Sequence, residues 1–281
     1  IILRNAWFLN GCFINSKVWT GFSPQDLQAL EVIDHQILRL ITGAQAKAPT
    51  EMLYLETAEL PIQDVISVRR LLYLHTILQR HMSELTRKVY TAMKDDPCKG
   101  DWIHMIKEDL ESTGMSIESE DQIIEMTKED FKKLVKNKVR ENAFNKLQDI
   151  KQGHKKVKDI VHTNLSQPQD YITSSILYNK KALLYNLRSQ SVNEYKANFS
   201  HKYSNLSCPM CNLCEDSQEH AISCAEVTQH LDSDHKEILK SVKYTDIFSS
   251  PDRQLQVTRI FKEIIRIRQE LNKNTAHHCI I

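Results

Sequence analysis

The sequence has few of the features that mark several common classes of protein. Only 6 glycines and 7 prolines occur among 281 residues, which excludes a collagen-like or low-complexity chain. No apolar run approaches the roughly 20 residues that a membrane-spanning helix needs. The formal net charge is only +1, so the overall charge favours no particular partner. Hydrophobic residues at 41% and charged residues at 26% are typical of a folded globular protein.

Targeting and processing signals are also scarce. The first residues lack the basic-then-apolar order of a signal peptide. Cys279 is followed by two residues rather than the three of a prenylation motif. Because the chain does not begin with Met, we expect a fragment or a processed product.

Signatures of catalysis are missing as well. The sequence contains no Gly-rich phosphate loop, no G-x-S-x-G and no H-E-x-x-H motif. Its one Asp-Asp pair, at Asp95, lies where a predicted helix ends, and we expect solvated carboxylates there. The Pro-Asp step at Pro251 resembles restriction-type nucleases, but no strand with an acidic-x-Lys pattern follows it. We therefore predict that this chain is not an enzyme.

Hydrophobic periodicity predicts helices nearly throughout, and strand patterns are almost absent. The sequence therefore predicts an all-α, multi-helix array. Predicted helices cover residues 23–43, 60–82, 85–93, 101–111 and 127–151. Their expected caps, first-turn residues and stops are Ser23, Pro24, Gly43, Pro61 and Thr127. In the first helix, the expected buried side consists of Leu27, Leu30, Val32, Ile33, Ile37, Leu38, Leu40 and Ile41.

The cysteines indicate a metal site. Seven occur, an odd number, and four of them lie with one histidine within seventeen residues. Without a secretory signal, this clustering favours metal binding in a reducing compartment over a disulfide framework. The spacing C-x2-C-x8-H-x3-C selects as ligands Cys208, Cys211, His220 and Cys224. Four such ligands suit a closed, structural Zn²⁺ site with no open position for catalysis.

The local structure of the cluster can also be anticipated. We expect His220 and Cys224 on one face of a helical turn that Asp216 or Ser217 caps. Cys214 is left over, and could replace Cys211 as a ligand or only lie nearby. Unrelated free thiols are another interpretation, and so is a redox C-x-x-C pair, although no βαβ pattern surrounds the motif.

Charge is unevenly distributed along the chain. Residues 108–130 contain nine acids and one base, whereas residues 132–158 contain ten Lys or Arg and two acids. A solvated helix face is the commoner cause of such a block, but spacings of three and four residues also suit a phosphate backbone. The candidate nucleic-acid contacts in this block are Lys132, Lys133, Lys136, Arg140, Lys155 and Lys156.

A second candidate stretch, residues 178–203, interleaves cations with aromatic rings. This pattern suits single-stranded nucleic acid, which binds through charge and base stacking. It equally suits an ordinary amphipathic helix with buried Tyr and exposed Lys. The candidate contacts here are Lys180, Lys181, Tyr185, Arg188, Lys196 and Lys202.

Three ordered blocks share motifs with one family. The first contains N-S-x-x-W from Asn15 and L-E-x-x-D from Leu30. The second reads P-x-E-x-L-Y-L-E from Pro49, then P-I, then R-R-L-x-Y-L from Arg69, with Ala58 where Gly is usual. The third is the C-x2-C…E-D-x3-H-x3-C cluster. Together they resemble the region that follows the palm in non-LTR (LINE-type) retrotransposon reverse transcriptases.

This resemblance implies a non-catalytic C-terminal region that binds RNA template, target DNA or both. It implies a structural zinc on the four ligands, the missing palm as a partner in the full-length protein, and an intracellular, nuclear location. The lack of a long apolar run predicts no membrane contact. Some lineages of the family carry a restriction-like endonuclease, but no motif of one is recognisable in this sequence. The implied segments are a thumb-like hairpin at 1–45, a helical linker at 46–165, a basic and aromatic segment at 166–206, a CCHC zinc knuckle at 207–226 and a helical tail at 227–281.

The alternative is a zinc-stapled helical protein-interaction module without a nucleic-acid role. In that case, the acidic stretch 108–130 would pair with the basic stretch 132–158, within one chain or between chains.

Overall fold

Helices make up the regular structure of the chain. A computed structural model describes residues 2, 4–21, 23–115, 120–154, 157–158, 160, 162, 165–248 and 250–278, with side chains up to residue 271. In this part of the chain no β-strand forms, and one isolated antiparallel bridge joins Ser207 to Glu215. The predicted all-α class is confirmed.

Thirteen α-helices are found in the described residues. In chain order they are α1 Pro24–Thr42, α2 Thr50–Thr57, α3 Ile62–Leu78, α4 Leu85–Asp95, α5 Trp102–Ser112, α6 Glu120–Glu125, α7 Lys128–Gln152, α8 Asp170–Thr173, α9 Tyr178–Arg188, α10 Gln218–Ala221, α11 Ala225–Thr228, α12 Ser233–Ser241 and α13 Pro251–His278. A π-helical segment covers Arg4–Cys12, and 3-10 turns cover Ser16–Val18, Lys196–Lys202 and Tyr244–Phe248. None of the helices in the described ranges is both long and apolar enough to cross a membrane.

The predicted helices correspond to α1, α3, α4, α5 and α7, with ends that agree within a few residues. The Oγ of Ser23 accepts a hydrogen bond from the backbone N–H of Asp26, so Ser23 caps α1. Thr127 caps α7 in the same way through the N–H of Asp130. Gly43 ends α1 with φ +70°, and a Cβ there would lie 2.2 Å from that of Ala182. Only glycine fits both conditions.

The predicted buried side of α1 was too wide. Leu38 is fully buried, but Val32, Ile33 and Leu40 are exposed at 47%, 45% and 75% of their surface. Eight apolar positions in so short a stretch surround more of the helix than one packing contact covers. Some of these side chains therefore face outward.

Internal contacts divide the chain into two units, each made of discontinuous pieces. Unit 1 contains Ile1–Leu38, Leu53–Ile150 and His162–Pro168, and unit 2 contains Arg39–Met52, Lys151–Val161 and Gln169–Ile281. The five sequential segments that the resemblance implied stay a prediction, because this division does not test them.

Unit 1 is built around an apolar core from α3, α4, α5, α6 and α7. Its buried members include Leu71, Leu74, Ile77, Leu78, Tyr90, Ile103, Ile106, Leu110, Ile123, Phe131, Val135 and Val139. These residues recur at three- and four-residue spacings, which places them on one side of each helix. The core fixes α7 against α3, and so determines which side chains of α7 face outward.

Buried charges in unit 1 are paired. The guanidinium of Arg4 donates to both carboxylate oxygens of Asp34, at 2.5 and 2.8 Å, and Tyr54 donates to the same carboxylate at 3.0 Å. Arg70 similarly donates to Asp109 at 2.6 and 3.0 Å. Removing one partner of such a pair typically costs about 3–5 kcal/mol, because the other charge stays buried. Asp34, Tyr54 and Arg70, all motif residues of the resemblance, therefore have a structural role here.

Unit 2 is organised by α13. The helix buries one apolar side, consisting of Val257, Ile260, Phe261, Ile264 and Ile267. The ring of Phe261 contacts those of Tyr195 and Tyr244 edge-on, with centroids 6.4 and 6.1 Å away. Through these contacts α13 supports the chain on both sides of the Cys/His cluster.

Candidate metal centre

The first candidate pair, Cys208 and Cys211, lies in a tight loop that two backbone hydrogen bonds close. The N–H of Cys208 donates to the carbonyl of Cys214 at 2.7 Å, and the N–H of Asp216 donates to that of Leu206 at 2.7 Å. Within this loop the N–H of Asn212 returns to the carbonyl of Cys208 at 2.9 Å. Asn212 has φ +56°, a conformation that Asn tolerates better than most residues. This turn places the sulfurs of Cys208 and Cys211 on the same side of the loop.

The prediction that His220 and Cys224 share one helical turn is wrong. His220 lies in α10, which ends at Ala221, whereas Cys224 has extended backbone angles and precedes α11. The expected cap is Ser217, whose Oγ accepts from the N–H of His220 at 3.0 Å. Because the chain leaves the helix after one turn, the loop rather than helical periodicity brings Cys224 towards His220.

The structure brings together the four residues that the spacing selected. One ligand atom from each of Cys208, Cys211, His220 and Cys224 lies within 4.8 Å of the others. The sulfurs of Cys208 and Cys224 are 4.0 Å apart, and that of Cys211 is 3.3 Å from the Nε2 of His220. Three sulfurs and one imidazole nitrogen at these separations could hold a metal ion.

Cys214 contributes through its backbone instead. Its carbonyl accepts the hydrogen bond from Cys208 that closes the knuckle, while its side chain is exposed. In this structure Cys211, not Cys214, faces His220. The alternative ligand set with Cys214 in place of Cys211 is therefore not the one that the fold assembles.

The thiols of the cluster sit in unlike environments. Backbone N–H groups of Leu213 and Cys214 lower the pKa of Cys211 to about 6. Burial, with the nearby Cys208, raises the pKa of Cys224 to about 12. Because metals bind the thiolate form, a metal ion must displace the proton of Cys224 when it binds.

A buried arginine from α13 lies against the cluster. Arg268 donates to the carboxylate of Asp216 at 2.7 Å and to the carbonyl of Glu194 at 3.2 Å. Its Nη1 is 3.9 Å from the sulfur of Cys208, and its guanidinium lies 4.8 Å from the ring centroid of Tyr195. Arg268 and Asp216 are only 2% and 1% exposed. This positive charge is therefore fixed beside the sulfur of Cys208, and joins α13 to the knuckle.

Sequence reasoning had missed Arg268. One signal was available, since Arg268 follows Phe261 by seven residues and Ile264 by four, on the apolar side of α13. An arginine at such a position is buried only with a partner. The partner, 52 residues away, could not be read from the sequence.

The basic row of α7 is accessible. Lys133 is exposed, and Lys132, Lys136 and Arg140 are partly exposed. These last three line one side of a groove of about 340 Å³ in unit 1. Two other candidates from the same block, Lys155 and Lys156, lie outside the described residues.

The basic and aromatic stretch is mostly packed into unit 2, which corrects two predicted contacts. Tyr185 is fully buried, and Arg188, 3% exposed, donates to the carbonyl of Ile247 at 2.9 Å. Neither side chain lies on the surface, because α9 turns them into the core. The amphipathic-helix interpretation therefore applies to both residues.

The four lysines of this stretch differ in their contacts. Lys181 donates to the carbonyl of Ile172 at 2.9 Å, and Lys196 to that of Ser207 at 3.1 Å. Lys180 is partly exposed, and Lys202 is exposed, with its ammonium 5.1 Å from the ring centroid of Phe199. Lys196 therefore braces the knuckle, and Lys180 and Lys202 keep the more accessible charges.

The chain was compared with family models, curated proteins and solved structures. No family model, no curated protein and no solved structure matches the chain.

Proposed function

We propose that this chain is the non-catalytic C-terminal region of a non-LTR retrotransposon reverse transcriptase. In this account it binds RNA template or target DNA, and its Cys/His cluster holds a structural zinc ion. The palm that carries catalysis would be its partner within the full-length protein. The observation that carries the proposal is the closed set of three cysteines and one histidine.

Zinc is the metal that best suits this donor set. Tetrahedral bonds of about 2.3 Å to sulfur and 2.1 Å to nitrogen imply ligand–ligand separations of about 3.6–3.8 Å. The 4.0 Å and 3.3 Å separations in the cluster are close to these values. A bound zinc would cross-link the knuckle to the loop that carries Cys224. With all four positions taken by protein, the ion would organise structure rather than activate water.

The charge of such a centre also fits its surroundings. A dication with three thiolates carries a net charge of −1, and burying it alone would be costly. Arg268 supplies a positive charge at 3.9 Å from the Cys208 sulfur. Arg268 also pairs with the carboxylate of Asp216. Its positive charge is therefore shared between Asp216 and the metal centre.

The residue types of the shared motifs support the family assignment. Ala58, which stands where the family usually has Gly, has φ +53°. Glycine adopts this conformation at little cost, whereas alanine does not. The backbone here thus calls for the residue that the motif usually contains.

Nucleic-acid binding is supported by the state of the charged residues. In the acidic stretch, Asp109 pairs with Arg70, and Glu120 pairs with Lys94 and lies 3.7 Å from Arg87. Among the described residues, the acidic stretch contacts the basic stretch through one ion pair, Glu129 to Lys132 at 3.9 Å. The row on α7 therefore stays largely available to an external anion.

A binding assay on the full chain tests the proposal. Fluorescently labelled single-stranded RNA, single-stranded DNA and duplex DNA would be titrated at 50 and 200 mM salt. We expect binding that weakens by roughly three or more orders of magnitude if six or more phosphates are contacted. Absence of binding at low salt, combined with a salt-sensitive dimer, would instead favour the protein-interaction module.

A further inference from the structure

Two neighbouring cavities on unit 1 share a strongly basic lining. One is the groove of about 340 Å³, and the other has a volume of about 660 Å³. Arg69 and Leu72 line both cavities. The cations that line one or both are Lys17, Arg69, Arg80, Lys128, Lys132, Lys136 and Arg140. We call these seven residues the basic track.

Four members of the basic track follow one another along α7. Lys128, Lys132, Lys136 and Arg140 recur at four-residue intervals, which keeps them on one side of the helix. At a rise of 1.5 Å per residue, neighbouring members are about 6 Å apart and the row extends about 18 Å. That length exceeds a single phosphate group and suits a chain of phosphates.

Most of these charges have no carboxylate partner in the structure. Within the described residues, neither Lys136 nor Arg140 forms an ion pair with a carboxylate. Arg69 also has none, but its guanidinium donates to the carbonyls of Leu9 and Phe13. Lys132 has only the long, exposed contact to Glu129, and Arg80 pairs on the surface with Glu84. Exposed pairs of this kind contribute little and exchange readily.

The one acid in the lining already has hydrogen-bond donors outside the basic track. Glu59 accepts a hydrogen bond from Arg4 at 2.6 Å and another from the side chain of Asn5 at 3.2 Å. Arg4, which is not a member of the basic track, divides its charge between Glu59 and the buried Asp34. Within the described residues, Glu59 forms no ion pair with a cation of the basic track.

Two further details favour an anion beside this part of α7. The Nε of Arg140 is buried and has no hydrogen-bond partner among the described residues. Burial and the like charges of Lys132 and Arg140 lower the pKa of Lys136. An anion at this position would relieve the repulsion and could accept the free donor.

We propose that the basic track is a binding site for the phosphodiester backbone of nucleic acid. This inference rests on the proposed function, and assigns it a location. It adds Lys17, Arg69, Arg80 and Lys128 to the residues that the sequence had suggested. Backbone contacts would position the strand without reading its sequence.

The test compares two charge-reversal variants of the full chain. Lys128→Glu with Lys136→Glu reverses two charges of the basic track, and Lys88→Glu with Lys99→Glu reverses two exposed charges elsewhere in unit 1. Both change the net charge equally. Helix content by circular dichroism checks folding, and the milder pair Lys128→Gln with Lys136→Gln repeats the test without added negative charge. The probe is a labelled 20-nucleotide single-stranded RNA, with a DNA of the same sequence.

We expect the basic-track variant to bind roughly tenfold more weakly or worse, and the control to stay within about twofold. The slope of log affinity against log salt should fall by about 1.4 for two lost contacts to a single strand. Equal losses in both variants, or no loss in the basic-track variant, would overturn the site while leaving nucleic-acid binding in place. If the unaltered chain binds neither probe at low salt, the proposed function fails as well.

Competition separates other sources of negative charge. Unlabelled oligonucleotide should displace the probe far better than inorganic phosphate, ATP or a poly-glutamate peptide at equal charge concentration. Displacement by phosphate or ATP at equal strength would indicate a small-molecule phosphate site instead. Displacement by poly-glutamate at equal strength would indicate an acidic protein partner. Either result overturns the proposal.

Discussion

At the scale of single residues, Ala58 offers a test of backbone strain. Its φ of +53° places a Cβ in the left-handed region just after α2, which costs about 1–2 kcal/mol for a residue other than glycine. We therefore predict that Ala58→Gly raises the free energy of unfolding by about 1 kcal/mol, although glycine also gains freedom in the unfolded chain. Urea denaturation followed by circular dichroism would measure the change.

A helical alanine provides the control. Ala92 lies inside α4 and is exposed, so Ala92→Gly should lower the free energy of unfolding by about 1 kcal/mol. The two substitutions delete the same methyl group, and only the backbone conformation differs. Destabilisation by both would contradict a strained Ala58.

Arg268 tests the electrostatics around the cluster. Its replacement by methionine keeps much of the side-chain volume but removes the charge beside Cys208, and leaves Asp216 buried without its partner. We predict that Arg268→Met weakens zinc affinity by about 10- to 100-fold, as the loss of a supporting contact to a metal ligand commonly does. Competition with a chromophoric chelator would measure this affinity.

The same helix contains a matched control. Arg266 is exposed and pairs with Glu263 and Glu270 on the surface, so Arg266→Met should leave zinc affinity within about twofold. If both variants bind zinc equally well, the guanidinium of Arg268 does not support the cluster.

At the scale of the helix, Asp64 gives α3 a pH dependence. Burial, with the charges of Asp109 and Glu31, raises the pKa of Asp64 to about 6, against the opposing effect of Lys146. A raised pKa in an acid means that the folded state favours the protonated form. Its destabilising effect is absent below about pH 4, grows as the pH rises from about 4 to about 6, and is constant above that.

We therefore predict that Asp64→Asn raises the free energy of unfolding by about 1–2 kcal/mol at pH 7, and changes it little at pH 4. Unfolding would be measured in urea at both values. Asp121→Asn, which removes an exposed first-turn carboxylate from α6, controls for the helix dipole. An equal effect of Asp64→Asn at both values would contradict the pH dependence assigned to its burial.

Helices with a long apolar period and a local cap could be predicted from the sequence. Ser23 and Thr127 cap their helices and Gly43 ends α1 through contacts within a few residues of each position. These helix ends therefore depend on local geometry alone. The side of a helix that becomes buried was harder to predict. Leu40 was predicted to be buried and is exposed, and Tyr185, a candidate nucleic-acid contact, is buried, because burial depends on the elements packed around α1 and α9.

The four residues of the candidate metal site were predictable for the opposite reason. Cys208, Cys211, His220 and Cys224 have a distinctive chemistry and lie in one short segment, so spacing alone selects them. How His220 and Cys224 are presented could not be predicted, because the chain leaves α10 after one turn. The contribution of Arg268 depends on a contact between distant parts of the chain.

At the scale of the whole molecule, metal removal should affect one region selectively. The knuckle has few apolar residues of its own, and small metal sites of this kind fold only with their ion. We predict that chelation with EDTA abolishes amide protection in residues 206–224, while α3 in unit 1 keeps its protection. Hydrogen–deuterium exchange with mass spectrometry would measure both. Unchanged protection around Cys208 would mean that the knuckle folds without a metal.

The zinc content of the purified full chain is the decisive measurement for the proposed zinc site. The chain would be prepared without chelators and analysed by inductively coupled plasma mass spectrometry. We predict one zinc per chain, retained in Cys214→Ser and lost in Cys211→Ser. Cys211 is one of the four residues of the closed ligand set, whereas Cys214 is not. A zinc-free protein, or zinc lost from Cys214→Ser and retained in Cys211→Ser, would contradict the account.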